Sequence, residues 1–468
     1  MNTRFLLGLW VLADFSAGFA KAQDPAPPAP NSPSGAMTMA LTGDSIITQQ
    51  LSPYREPDFL RLIQVIRSAD IAFTNVEMLF HNYEGYPSVV SGGTYMRADP
   101  AMAKELAWAG FRLGSRANNH AGDYSPEALF STDRALEAAG IIHAGSGENL
   151  QQAREARFAD SSGGRVALVS CASTFTPHSV AGRQRSDVKG RPGISPLRFD
   201  TKYTVDQATL DELRALTGKL AGGRGGRGGR GGGAAATEEK EIVFQGNHFV
   251  LGEKFGMVRT LVKQDIDEIC AAVKDARAMA PYVIVSLHCH EADPTDRSAP
   301  PDFFIAFAHA VVDAGASAVV GEGPHVLHGI EIYHGKPVFY SLGDFIMQNE
   351  SVLRQPQDNY DSVGLGPDAR VSEFDARRSS NDTKGYPATR EAWESVVAQP
   401  KFEGDRLVEV RLTPITLGFG RPVGTRGRPT LAAPNDATKI LGDMIKMSAP
   451  LGTKIENRNG IGYVVLSP

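Results

Sequence analysis

The residues best equipped for chemistry stand together at the end of one apolar run. Tyr282-Val283-Ile284-Val285 continues through Ser286 and Leu287 and stops in His288-Cys289-His290-Glu291. Side chains along a strand alternate faces. His288 and His290 therefore point one way as a ligand pair, and Cys289 points the other way as a packed thiol. Other apolar runs end in similar residues. Gly43-Asp44 closes MTMALTGD (37–44), and Asn75 and Glu77 share one face at the end of IAFTNVE (71–77). Asn119 and His120 lie in RANNHAGD (116–123), and Glu322, His325 and His328 lie in GEGPHVLHG (321–329). An isolated His-x-His is as well explained by two satisfied structural histidines. Asp44, Glu77, Asn119, His120, His288 and His325 are not isolated, because each follows an apolar run. Carboxylate, amide and imidazole together suit borderline or hard metals such as Mn, Fe, Zn or Mg. Two ions ~3.5–4 Å apart, gripping a phosphate and generating hydroxide, would use such a set. Neither a Ser-His-Asp order nor a P-loop is present.

These residues need strands to deliver them. Short β runs alternate with amphipathic helices along the chain. Pro57 opens a helix with Phe59, Leu60, Ile63 and Ile66 on its apolar face; Asp99 caps one that starts at Pro100 and stops at Gly110; Ser125-Pro126 starts another that ends at Gly140. RVALVSC (165–171) and ASAVVGE (316–322) read as strands, and 264–280 and 301–314 as helices. GIEIYHGKPVFYSL (329–342) alternates on both sides of His334-Gly335, a hairpin signal. This βαβα order implies an α/β fold with a largely parallel sheet between helices. In such sheets sites form beyond the strands' C-terminal ends, where the candidate residues fall.

The 468 residues are 42% hydrophobic and 22% charged, with a formal net charge of -5. That composition supports a large core and argues against a general nucleic-acid or anionic-membrane binder. Arg4, the apolar stretch Phe5–Ala13 and Ala20-Lys21-Ala22 read as a signal peptide cleaved after Ala22, the alternative being an N-terminal membrane anchor. Residues 23–36 are a Pro-rich linker, and 37–468 form the folded domain, with a motif core over 37–350 and a C-terminal extension over 351–468. Cleavage would leave no stable transmembrane span in the mature chain. AGGRGGRGGRGGGAAATEE (221–239) cannot pack a core and is expected to be a mobile surface insertion. It lacks the aromatic residues that stack on bases, so no nucleic-acid role is expected. Cys171, Cys270 and Cys289 are odd in number and share no CxxC spacing, which reads as buried free thiols.

Five blocks, LTGD (41–44), FTNVE (73–77), ANNHAGDYSPEAL (117–129), VSLHCHE (285–291) and GEGPHVLHGIEIYHGKPVFYSLGDF (321–345), resemble the capsule-synthesis CapA family, poly-γ-glutamate-associated proteins with a metallophosphatase-like fold. LGTKIENRNGIGYV (451–464) is similar to that family's tail. The resemblance implies a calcineurin-like sandwich of two β-sheets flanked by helices. It carries metal-site roles onto Asp44, Glu77, Asn119, His288 and His325, with His290 and Glu322 as further ligands. His120 would be catalytic, and Asp123 would support it or cap a helix. Asn75, Arg116 and His328 would meet substrate. The family usually has His where Glu322 stands and Asn where Asp344 stands. Glu322 either ligates a harder metal or marks the loss of one metal site; Asp344 adds negative charge. His309 reads as a packed helical residue.

Two functions fit these residues best. One is an extracytoplasmic, metal-dependent hydrolase of the phosphoesterase type, holding one or two divalent ions and acting on an anionic polymer or phosphorylated substrate. The other is a non-catalytic accessory of poly-γ-glutamate or capsule assembly or export, binding polymer and capsule-assembly proteins. Amide hydrolysis or transfer on a γ-glutamyl polymer is a third.

Overall fold

The computed structural model describes residues 35–221 and 241–466. The signal-peptide segment, the linker up to residue 34 and the insertion beyond Ala221 lie outside these. Among the described residues, a ten-stranded and a six-stranded sheet stack face to face. At the centre of the larger sheet is Ala36–Ile46. It pairs in parallel with Ile71–Asn75 and Asp344–Met347, and antiparallel with Glu394–Glu403. The smaller sheet runs in parallel through Gly164–Ala172, Tyr282–His288, Ala318–Glu322 and Lys336–Phe339.

Alternation along the strands builds the layers. Met37, Met39 and Leu41 point between the sheets, against Leu168, Ile284 and Val320. Ala40 and Ile46 point outward, under the helices Pro57–Arg67, Met102–Ala109 and Ser125–Ala138. In Tyr282–His288, Val283, Val285 and Leu287 face outward with Cys289 onto the helices Lys263–Met279 and Asp302–Asp313. His288 therefore faces inward, toward the other sheet. The result is an α/β sandwich of two sheets flanked by helices, the arrangement the resemblance implies.

The sequence boundaries move by small amounts. The helix expected from Pro100 starts at Met102, because Asp99 Oδ1 accepts from Ala101 N and holds an extra turn first. The hairpin pairs Tyr333 with Lys336, and both turn residues, His334 (φ 47°) and Gly335 (φ 75°), are left-handed, the turn type that matches strand twist. Residues 394–416 form a long antiparallel hairpin inside the main sheet. Phe199–Val205, Glu241–Phe244, Asn247–Leu251 and Gly256–Leu261 form a small four-stranded sheet of their own, which the sequence pattern did not announce. Among the described residues no helix is long and apolar enough to cross a membrane. Cys171 and Cys289 are buried free thiols, and Cys270 is a half-buried one.

Candidate metal centre

The C-terminal ends of both sheets open at one rim. In the larger sheet Asp44 sits opposite Asn75 and, on its other side, opposite Asp344. In the smaller sheet His288 sits opposite Glu322. Gly43 has no freedom here. A Cβ on it would lie 1.8 Å from the carbonyl oxygen of Gly343, so only glycine lets the two chain segments come this close. Asp44 N donates to that same oxygen over 3.0 Å.

Glu77 is the centre of the arrangement. It is fully buried, and neither carboxylate oxygen has a hydrogen-bond partner. Its Oε1 lies 3.8 Å from His120 Nε2, 3.7 Å from His288 Nε2, 4.0 Å from His290 Nε2 and 3.8 Å from His325 Nε2. These gaps are too long for hydrogen bonds. They fall within the ~4.2 Å that two ligands can span across one ion at ~2.1 Å each. Glu77, His290 and His325 can offer ligand atoms to one ion, and so can Asp44, Glu77, His325 and Asp344. His288 Nε2 and His290 Nε2 are 3.1 Å apart. These buried acidic and imidazole groups could hold a metal ion.

Neighbouring groups fix the rings. Asn75 Nδ2 donates to Asp44 Oδ1 over 2.7 Å and to His288 Nδ1 over 3.1 Å. His288 Nε2 thus faces Asn119 Oδ1 at 2.8 Å. Asn119 Nδ2 donates to Gly92 O at 2.9 Å, which aims its oxygen inward. Asp123 accepts from Met96 N at 2.8 Å and Gly92 N at 3.0 Å, and from His120 Nδ1 at 2.7 Å. That leaves His120 Nε2 turned toward Glu77. His325 adopts φ 56°, an uncommon conformation for a residue with a side chain, and its Nδ1 meets Asp344 Oδ1 at 2.8 Å.

The electrostatics are those of charges packed without solvent. Burial drives the Glu77 carboxyl well above its usual range, against the pull of His325. Burial likewise pushes Asp344 up to about 6, again opposed by His325. Burial would also raise Asp44, but the neighbouring His288 and His325 rings and the Asn75 amide outweigh it, and Asp44 ends lowered. Burial lowers His290 well below the usual imidazole value, with the other rings adding to the effect. A cation at the centre would relieve this crowding of carboxylates and imidazoles.

Asp44, Glu77, Asn119, His120, Asp123, His288, His290 and His325 are brought together. Four expected residues are placed differently. Arg116 is not available to a substrate: it is fully buried and spent on Val76 O, Met78 O and Asp133. Asn75 is fully buried, and its amide is taken up by Asp44 and His288. Glu322 takes a hydrogen bond from Ser286 Oγ, and burial together with the charge of Asp44 keeps its carboxyl well above the usual range. His328 is buried with Nε2 unpartnered, and burial lowers its imidazole to about 4. His309 is tied to Glu331 and stacked on Tyr333, on a helix and hairpin outside the site.

Asp344 enters the site although its sequence context marked it only as an added charge. The signal was there: Gly43-Asp44 and Gly343-Asp344 are the same Gly-Asp pair twice. Asn118, whose Nδ2 reaches Asn75 Oδ1 at 3.3 Å, was also unforeseen. Beside the cluster opens a cleft of about 1010 Å³, lined by His290 and Tyr386 and by charges of both signs, Arg378 and Lys446 with Asp375 and Asp443 among them.

Known proteins resemble this chain closely enough to place it. An uncharacterized protein of Sinorhizobium fredii, y4sH, is 34% identical over 447 residues, covering 92% of this chain and 93% of that one. The capsule biosynthesis protein CapA of Bacillus anthracis is 22% identical over 317 residues, 66% of this chain and 59% of its own length. The PGA biosynthesis protein CapA of Bacillus subtilis is 40% identical over 77 residues, 16% of this chain and 19% of that one. The description of the bacterial capsule synthesis protein PGA_cap family matches residues 38–349, a span that holds every residue of the metal-capable cluster, and the chain belongs to that family.

Proposed function

We propose that this chain is a metal-dependent hydrolase of the phosphoester type, working outside the cytoplasm in capsule or poly-γ-glutamate metabolism. One observation carries the reading: the buried carboxylate of Glu77 has no hydrogen-bond partner and is ringed by four imidazole nitrogens at 3.7–4.0 Å. Leaving such a charge unpaired is costly, and a bound cation removes the cost. Asp44, Glu77, His288, His290 and His325 would hold the ion, with Asn119 Oδ1 and Asp344 beside them. When bound, a divalent ion supplies Lewis-acid polarisation of a phosphoryl oxygen and acidifies water.

The chain's own residues do the rest. Asn75 and Asn119 keep the His288 ring in one orientation. Asp123 holds His120 by Nδ1, so Nε2 is free to pass a proton to a leaving oxygen. The names of the Bacillus relatives support a capsule process. The leader-like residues 1–22 support export, or a membrane anchor if they are not removed.

The test is metal content per chain by mass spectrometry, joined to a panel of phosphoester and γ-glutamyl substrates. At least one equivalent of a divalent ion is expected in the wild type, lost in Glu77→Gln, together with phosphoester hydrolysis. Equal metal in both proteins would sink the assignment. A second reading, a polymer-binding accessory, draws on the wide cleft beside the cluster, whose walls carry acidic and basic residues alike. It would be favoured by bound metal, binding of an anionic polymer and no turnover of any substrate.

A further inference from the structure

The cluster is open on one side, and the residue standing there comes from outside the family match. Tyr386 begins the short turn Tyr386–Ala388, well beyond residue 349. Its backbone is pinned: Trp393 Nε1 donates to Tyr386 O over 2.8 Å, and Trp393 is itself buried under Arg426. Gly385 before it takes φ 67°, which turns the chain into the cleft at that point. The Tyr386 ring meets His325 edge to face, with centroids 4.9 Å apart and planes at 78°. It lines the cleft together with His290. Among the described residues its hydroxyl has no hydrogen-bond partner, nor is it a sealed, orphaned atom like the Glu77 oxygens.

A phenol held rigidly by its ring, with its hydroxyl left to the cleft, is a donor waiting for an acceptor. The cluster it borders would draw an oxyanion to that spot. We infer that Tyr386 is a substrate-contacting residue of this site: its hydroxyl donates a hydrogen bond to an oxygen of the bound phosphoryl group, and its ring limits which substrates reach the imidazoles. The C-terminal segment would thereby set specificity for a centre built by residues 44–344. This inference rests on the phosphoester reading above.

The experiment uses the full chain saturated with Mn²⁺ and inorganic phosphate as the probe, followed by titration calorimetry. Tyr386→Phe keeps the ring and removes only the donor. Losing a hydrogen bond to a charged group should weaken phosphate by roughly 10-fold or more. Because the hydroxyl has no protein partner, Mn²⁺ stoichiometry and melting temperature should stay as in the wild type. Tyr386→Ala should bind phosphate at least as weakly; if it also melts early, the Phe variant still decides. Phosphate binding by Tyr386→Phe equal to wild type overturns the role of Tyr386 and leaves the phosphoester reading standing. A Mn²⁺-saturated wild type that binds no phosphate overturns the phosphoester reading, and this inference with it.

Discussion

At the scale of single residues, strand alternation sorted the opening cluster. Cys289 packs in the outer apolar layer with Val285 and Leu287, and burial drives its thiol well above its usual value, so it stays neutral. His288, one residue before it, faces inward to Asn119 and Glu77. His288→Ala should therefore lose bound metal, while Cys289→Ala should keep it and cost about 1–2 kcal/mol, the scale of a small core truncation. Metal content and denaturant unfolding of the two variants check this; metal loss in Cys289→Ala alone would mean the register is off by one. The residues whose chemistry was legible are those at strand ends, because period-two patterning fixes where a strand stops and which way it points. Arg116 was expected to meet substrate, and its burial against three acceptors, all distant in sequence, has no local signal. Tyr386 was invisible, since nothing in the pattern of 351–393 says that this segment folds back over His325.

Among the elements, the strands and helices around the motifs were legible almost residue by residue: Tyr282–His288 coincides with its apolar run, and the 333–336 turn falls on His334-Gly335. Partnership between distant elements was not. Asp344–Met347 lies beside Ala36–Ile46 with some 300 residues between them, and no local pattern reports such a pairing. Their junction is the tightest point of the site, because the position of a Cβ on Gly43 is already taken by Gly343 O at 1.8 Å. Gly43→Ala should push the two strands apart and carry Asp44 away from Asp344. The expected cost is about 3 kcal/mol, the upper part of the usual overpacking range, together with weakened metal binding. Thermal melting with and without Mn²⁺ measures both. A Gly43→Ala protein with wild-type stability and metal content would show that the junction can relax.

For the whole molecule, acid should act through a buried histidine that is not one of the cluster's rings. Burial, helped by Arg97, lowers the His81 imidazole to about 4, against an ordinary value near 6.5. The unfolded chain therefore binds the extra proton first. The stability from neutral His81 is complete above pH ~6.5 and is lost as pH falls toward ~4, with a slope of at most ~1.4 kcal/mol per pH unit. His81→Gln should flatten the fall of melting temperature across that window, and an unchanged profile would remove His81 as its source. A larger question is whether the motif-bearing region can stand without residues 351–468. The family match ends at 349, yet Ala36–Ile46, the strand that carries Asp44, pairs along its whole first half with Glu394–Glu403. Between the sheets, Val396, Ala398, Phe402, Val410, Leu412, Ile440, Leu441 and Met444 come from the later segment. Each of the larger of these contributes about 1.5–3 kcal/mol by burial, and a domain's net stability is only ~5–15 kcal/mol, so their removal is a large loss. Cutting the chain after residue 350 would also leave the central strand as an open edge, a template for aggregation. The truncated chain should show no cooperative melting transition, should aggregate, and should bind no metal, whereas the full chain melts cooperatively. A soluble 1–350 fragment with a sharp transition and wild-type metal content would show that the capsule-family core folds alone and that the C-terminal strands merely decorate it.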